Sequence, residues 1–318
     1  MDEFELIRRY FQHEDGAGVS IGIGDDGAII EPAPNRSLVV VTDTIIAGVH
    51  YPPDLPASDV GYRAVAVNLS DVAAMGGRPR WMTLALTLTE ADERWLRDFA
   101  NGLFAAAREH DVALVGGDTT RGAQTVITVQ LLGDASPDAV LTRAGAHPGE
   151  GIYVTGTVGD AAAGLSLLRN PTSPDSREDA AWLVGRFSRP VARVRVGASI
   201  AGTATAAIDL SDGLGTDLAK LLRASKVGGS IELDSLPLSP ALCRMFSQDE
   251  AQRLALDGGD DYELCFTAGA EDHERIGELA AQHATPVTRI GTTEPGAGLF
   301  CIRNGKRAPY EDHGYRHF

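Results

Sequence analysis

Apolar positions recur at helical spacing from the start of the chain: Phe4, Leu6, Ile7, Tyr10 and Phe11 predict a short amphipathic helix that stops before Asp15-Gly16-Ala17-Gly18. The β-branched run Leu38 to Val41 predicts a buried strand with Thr42-Asp43-Thr44 at its end. An Ala/Val-rich pattern predicts a helix over 58–75, with Ser58 or Asp59 near its start and Asn68, Ser70 and Asp71 late in it. Alternation over 81–88 predicts a strand, and Trp95, Leu96, Phe99, Leu103 and Phe104 mark one face of a helix within 90–111. Strands follow at 112–115 and 125–132, separated by the loop Gly116-Gly117-Asp118-Thr119-Thr120-Arg121.

The Gly/Pro-punctuated passage from Leu141 to Gly149 marks a domain boundary, giving domains 1–146 and 147–318. Beyond it the pattern predicts a strand at 152–156, a helix at 160–168, an exposed Pro/Ser-rich loop at 170–175 and a basic helix at 186–200. An apolar run then enters Asp209-Leu210-Ser211-Asp212-Gly213, followed by a helix over 215–225. Gly258-Gly259-Asp260-Asp261-Tyr262-Glu263 repeats the theme of paired glycines and adjacent acids before a strand. The tail from Gly314 to Phe318 is a frayed end or, through Tyr315, a stacking surface for a ring-bearing ligand.

A length of 318 residues supports two domains, and 43% hydrophobic with 23% charged residues is ordinary for a soluble globular protein. The net charge of −16 opposes binding to nucleic acid or an anionic membrane, so an anionic substrate needs cations as intermediaries. Three dispersed cysteines suggest neither a disulfide framework nor a zinc site. The acidic N-terminus lacks a signal-peptide pattern and no apolar run spans a bilayer, which gives the expectation of a cytoplasmic protein.

Acids follow apolar runs at Asp26, Asp43, Asp71, Asp118, Asp209 and Asp212, and several abut glycines. The expectation is that they converge in space. Two like charges about 4 Å apart repel by roughly 4 kcal/mol at an effective dielectric near 20, so such a cluster stays ionised only with cations. Hard oxygen ligands suit Mg²⁺, which takes few carboxylates and completes its shell with water and substrate phosphate. Paired glycines admit a phosphate close to the backbone, and Asp118 stands beside Gly117. Asp43 is a ligand or caps the turn after it, His50 is structural or contacts substrate, and Arg143 is a solvated group or a phosphate ligand.

Other phosphate and metal motifs are excluded. Gly22-Ile23-Gly24-Asp25-Asp26-Gly27 fits the dinucleotide G-x-G-x-x-G spacing, but a strand rather than a helix is expected after it and its acids would repel a pyrophosphate. No P-loop or protein-kinase motif is present. An EF-hand counted from Asp209 places Lys220 where the bidentate Glu belongs.

Six segments in order, around Asp26, Asp43, Asp71, Asp118, Asp209/Asp212 and Asp260, resemble the thiamine-monophosphate kinase family. That family lies in the superfamily of aminoimidazole ribonucleotide synthetase and selenophosphate synthetase. The resemblance implies an α/β (α+β) two-domain synthetase-like fold. Its N-terminal α/β domain would contribute strands to a β-barrel across a homodimer, and a C-terminal α/β domain would complete the active site. It implies ATP as co-substrate, thiamine monophosphate as acceptor and several Mg²⁺ ions held by Asp26, Thr42, Asp43, Asp71, Asp118, Asp209 and Asp212. ATP contacts would come from Gly117, Asp118, Arg143 and Ser211, and substrate contacts from His50, Asp260 and Tyr315. Asp260 stands where the family typically has the longer Glu, and Val41 where some members have Ser. A related synthetase of the superfamily and a non-catalytic Mg-nucleotide-binding module are the alternatives.

Overall fold

The computed structural model describes residues 3–13, 16–170 and 177–314. The chain forms two compact units, Met1–Val72 with Gly77–Pro137 and Ala73–Gly76 with Asp138–Phe318.

The first unit opens with helix α1 (Glu3–Tyr10) and the two short antiparallel strands β1 (Val19–Ile21) and β2 (Ile29–Ile30). It continues through β3 (Ser37–Ile46), α2 (Ala57–Ala74), β4 (Arg78–Leu88), α3 (Glu93–Arg108), β5 (Ala113–Arg121) and β6 (Val126–Ala135). The Asp92 carboxylate accepts the Arg94 and Trp95 N–H groups at 2.8 and 3.2 Å and so starts α3, whose face of Leu96, Phe99 and Leu103 is buried.

The sheet order is β3-β6-β4-β5, with β6 antiparallel to both neighbours and β4 parallel to β5. The strand β3 is longer than the sequence predicts, so Thr42-Asp43-Thr44 lies inside it rather than at its end. It also alternates in burial instead of being buried throughout, as suits an edge strand with one covered face. Val39, Ile45, Leu84, Leu86, Ile127 and Val129 are buried, whereas Leu38 and Val40 are 46% and 56% exposed. On the exposed side Thr44 and Thr128 share a 2.8 Å hydrogen bond.

Gly116 to Arg121, expected as a loop, is strand instead. Strand β5 runs straight through it, because pairing to β4 needs only backbone: Thr83 pairs with Gly116, Leu84 with Gly117 and Ala85 with Asp118.

Asp134, buried on β6, accepts from Arg36 Nε at 2.7 Å and Arg80 Nε at 2.6 Å. Burial alone would raise its carboxyl, but the hydrogen bonds and charges of Arg80 and Arg36 outweigh this and hold it below the usual carboxylate range. A depressed carboxyl stabilises the fold fully above the unfolded value, about 3.9, and loses that contribution as pH falls through the folded value. Asp134→Asn is therefore expected to lower stability at pH 7 by about 1–3 kcal/mol. In urea titrations the gap between variant and parent should narrow below about pH 4; an unchanged gap at pH 3 would contradict this.

The second unit contains β7 (Gly151–Thr155), α4 (Asp160–Arg169), α5 (Arg177–Ser188), α6 (Val194–Ile200), β8 (Ala206–Asp209), α7 (Leu214–Ser225) and β9 (Gly228–Glu232). Then come α8 (Pro240–Met245), α9 (Gln248–Asp257), β10 (Leu264–Ala268), α10 (His273–Gln282), β11 (Val287–Glu294), β12 (Gly298–Arg303) and β13 (Lys306–Pro309). The sheet order is β13-β12-β9-β11-β7-β10-β8, antiparallel except for β12 against β9. Leu214, Leu218, Leu221 and Leu222 of α7 join Ile152, Val154, Ile208 and Ile231 in its core.

The single helix expected over 186–200 is two, α5 and α6, interrupted at Arg189-Pro190, where a proline cannot donate to a helix ladder. Residues 138–146 sit with the second unit because they are bonded into it. The Ala207 N–H donates to the Thr142 carbonyl at 2.9 Å, and Ser225 Oγ donates to the Arg143 carbonyl at 2.9 Å. The loop expected at 170–175 lies, but for Asn170, outside the described residues.

Candidate active site

In the first unit, Gly22 to Ala28, Leu114 to Thr119 and Leu84 line a cleft of about 420 Å³ together with Phe4 and Ile7 of α1 and Phe11 just after it. The Gly22–Gly27 stretch joins β1 to β2 with no helix after it, so it is not a dinucleotide turn. Asp25, Asp26 and Asp118 border the same cleft, and Asp25 Oδ1 accepts the Asp26 N–H at 2.8 Å. Gly117 is required there: a Cβ would lie 1.9 Å from the Leu84 carbonyl oxygen. Backbone and carboxylates thus meet at one surface, with apolar side chains beside them.

Of the predicted residues in this unit, the fold brings Asp26, Gly117 and Asp118 together. Asp43 stands in one cross-strand row with Val129, Leu84 and Gly117, but at the opposite edge of the sheet. Three strand spacings, about 14 Å, separate Asp43 from Gly117. Thr42 is exposed on β3, and Asp71 is half-buried in the last turn of α2. His50 Nδ1 accepts the Ile46 N–H at 3.1 Å, which places the ring proton on Nε2.

In the second unit the acids at the end of β8 are laced to the 258–263 segment. The Leu210 N–H donates to the Glu263 carbonyl, Tyr262 N–H to Leu210 and Asp260 N–H to Ser211, each at 2.9 Å. Asp260 and Tyr262 hold φ of 74° and 51°, left-handed conformations that non-glycine residues rarely adopt. Asp260 is thereby fixed beside Ser211, and its Oδ1 accepts the Tyr262 hydroxyl at 3.3 Å.

Two buried acids support this loop from below. Asp261 accepts the Gly159 and Ala161 N–H groups at the start of α4, at 2.7 and 3.2 Å; burial pushes its carboxyl well above the usual range against these donors. The Glu263 side chain, fully buried, accepts from Arg186 at 2.7 Å, Arg193 at 2.6 and 2.5 Å and Thr155 at 2.6 Å.

Asp212 begins the turn into α7. Its N–H donates to Asp217 Oδ2 at 2.9 Å, and Lys220 Nζ donates to Asp212 Oδ2 at 2.5 Å and to Asp217 Oδ1 at 2.8 Å. Burial alone would lower the Lys220 ammonium, but its hydrogen bonds to Asp212 and Asp217 and their charges hold it above the ordinary lysine value. Neither Asp217 nor Lys220 is among the residues that sequence reasoning assigns to the site. The Asp-x-x-Lys spacing on a predicted helix was the available signal.

Arg143 lies at the other end of α7, its carbonyl bonded to Ser225, about 17 Å of helix away from the Ser211 turn. Thr216 Oγ1 donates to Asp312 Oδ1 at 2.7 Å, and a Cβ on Gly314 would lie 2.7 Å from the Asp212 carbonyl oxygen, so the C-terminal segment reaches the turn. Tyr315 lies outside the described residues.

The AIR synthase related protein N-terminal domain family matches residues 24–135, and the corresponding C-terminal domain family matches 147–303. Thiamine-monophosphate kinase of Escherichia coli strain K12 is 44% identical over 319 residues, covering 99% of this chain and 98% of that one. The chain belongs to the thiamine-monophosphate kinase family. The thiamine-monophosphate kinase of Bacillus subtilis strain 168 is 33% identical, covering all of both chains.

Among solved structures, thiamine-monophosphate kinase from Stenotrophomonas maltophilia K279a has a TM-score of 0.86 at 44% identity, over 92% of this chain and 93% of that chain. AaThiL complexed with AMPPCP and TMP has a TM-score of 0.81 at 33% identity, over 94% of this chain and 93% of that chain. Hydrogenase maturation protein HypE, at 20% identity and a TM-score of 0.78 over 98% of this chain and 97% of that chain, shares the fold. The two-domain architecture expected from the motifs is thus that of the thiamine-monophosphate kinase family.

Proposed function

We propose that the protein transfers the γ-phosphoryl group of ATP to thiamine monophosphate, giving ADP and thiamine diphosphate. The observation that carries this reading is the cleft where Asp25, Asp26 and Asp118 border the Gly116-Gly117 backbone of β5. A phosphorylated ligand approaching through cations suits that combination, and full-length similarity to thiamine-monophosphate kinases supplies the acceptor.

Mg²⁺ fits the residues present. Among the described residues no three His, Cys, Asp or Glu side chains form a ready-made cage. Mg²⁺ does not need one, since one or two carboxylates with water and substrate phosphate satisfy it, and the cleft offers hard oxygen donors at that density. Asp26, Asp118, Asp43, Asp71, Asp209, Asp212 and the Thr42 position would hold such ions. Bound there, they supply charge neutralisation for the phosphates.

The chain's own residues then bind and orient. The Gly116-Gly117 backbone of β5 receives the phosphates, Ser211 and Arg143 contact the nucleotide, and His50, Asp260 and Tyr315 contact the acceptor. His50, with its proton on Nε2, presents a hydrogen-bond donor. No general base is assigned, because a phosphate monoester is largely deprotonated near neutral pH and is the nucleophile of an in-line displacement. Positioning supplies most of the rate.

The working form is a homodimer in the cytoplasm. No described helix is long and apolar enough to cross a membrane. Leu38 and Val40 stand exposed on the uncovered side of the four-stranded sheet, and β3 and β5 are its edge strands, a surface that a second copy would cover. Sedimentation should give twice the chain mass.

Incubation with ATP, Mg²⁺ and thiamine monophosphate tests the activity. Thiamine diphosphate and ADP should appear in equal amounts. ADP formed without thiamine diphosphate would instead favour another acceptor, and nucleotide binding without turnover a binding module.

A further inference from the structure

Lys220 lies on the first half of α7 and faces the turn that carries Ser211 and Asp212. Its side chain is 33% exposed, while that of its partner Asp217 is 2% exposed. The Asp217 carboxylate is bound on both oxygens: Oδ2 takes the Asp212 backbone N–H and Oδ1 takes the Lys220 ammonium. The same ammonium reaches Asp212 Oδ2. Backbone, carboxylate and ammonium thus close a ring, and the lysine cannot swing away without breaking two charge-assisted bonds.

An ammonium carries three donors. Two are spent inside this ring, and the one-third exposure of the side chain leaves the remaining N–H open to whatever occupies the turn. On Asp212 the division is equally sharp. Oδ2 is taken by Lys220, while among the described residues Oδ1 meets the Ser211 hydroxyl at 3.4 Å, too long to satisfy a carboxylate oxygen. One carboxylate therefore presents a fixed cation on one oxygen and an open acceptor on the other.

We propose that Lys220 is a phosphate-binding residue of this site, with two of its donors fixed by Asp212 and Asp217 and the third presented to a phosphoryl oxygen of a bound substrate. The inference rests on the reading of the Asp209–Asp212 turn as part of the phosphotransfer site. In a chain of net charge −16, a rigidly held cation beside the metal-binding acids gives a phosphate a direct protein contact as well as contacts through Mg²⁺. The phosphoryl oxygen belongs either to the nucleotide or to the acceptor monophosphate, and the experiment separates the two.

Calorimetric titrations at saturating Mg²⁺ compare the parent with Lys220→Met and Lys220→Arg, using ADP, a non-hydrolysable ATP analogue and thiamine monophosphate in turn. Adenosine and thiamine serve as phosphate-free controls. The Met variant should bind at least one phosphorylated ligand tenfold or more weakly, the Arg variant should recover part of that loss, and the controls should not move. A loss with both nucleotides places the lysine on the β-phosphate, a loss with the ATP analogue alone on the γ-phosphate, and a loss with thiamine monophosphate alone on the acceptor.

Because Lys220→Met strands the buried Asp217, the double variant Lys220→Met/Asp217→Asn is titrated beside it; it should regain the parent's melting temperature without regaining affinity. Unchanged affinities in a folded variant, an equal loss with the controls, or full recovery in the double variant would each overturn the proposal. If the parent binds these ligands but makes no thiamine diphosphate, the functional reading fails while the lysine assignment is still decided by the titrations.

Discussion

Asp212→Asn should lower turnover by about 10²–10³-fold in a coupled ADP assay while leaving the melting temperature within a few degrees of the parent. The side chain is 32% exposed in a turn, so its replacement opens no cavity. What it removes is the negative charge that anchors Lys220 and offers an open oxygen to a cation. The amide keeps the shape and loses the charge that the proposed ion would need. A variant with near-parental turnover would show that phosphoryl transfer does not depend on this turn.

Glu263→Ala should destabilise the protein by about 3–5 kcal/mol, because it leaves two guanidinium groups uncompensated in a dry interior. Arg186 and Arg193 are 9% and 16% exposed in their side chains, and both end on this one carboxylate. The Glu263 backbone also accepts from Leu210, so loosening the residue frees the strand end that precedes Ser211 and Asp212. Urea denaturation should show the lost midpoint, and Glu263→Gln, which keeps the side-chain length, should fall between variant and parent. Equal midpoints for all three would mean the cluster is not an ion-paired anchor.

The helices were legible in the sequence wherever one face repeated, as in α3, where Leu96, Phe99 and Leu103 are buried as their spacing predicts. The strand at Gly116–Arg121 was not, because glycine and aspartate usually mark turns. Here the absent Cβ serves a close approach to Leu84 within a paired strand. Strand order was equally invisible. Asp43 and Asp118 each follow a β-branched or apolar run, yet β6 and β4 lie between their strands, and linear spacing carries no information about which strands become edges.

The site residues divide in the same way. Asp26, Gly117 and Asp118 were found from motif chemistry and do share a cleft. Lys220 entered the sequence argument only as a misfit in an EF-hand count, since a lone lysine on a helix is ordinarily solvated. Only the fold brings it against both Asp212 and Asp217. Glu263 meets Arg186 and Arg193 from a distant stretch of the chain, a pairing no local pattern announces.

The left-handed backbone at Asp260 and Tyr262 sets this loop at odds with durability. Each such residue costs on the order of 1–3 kcal/mol, and glycine at position 260 would remove that cost together with the carboxylate beside Ser211. Laboratory evolution for heat resistance alone would therefore draw substitutions to this loop early, and the hardiest survivors would be poor enzymes.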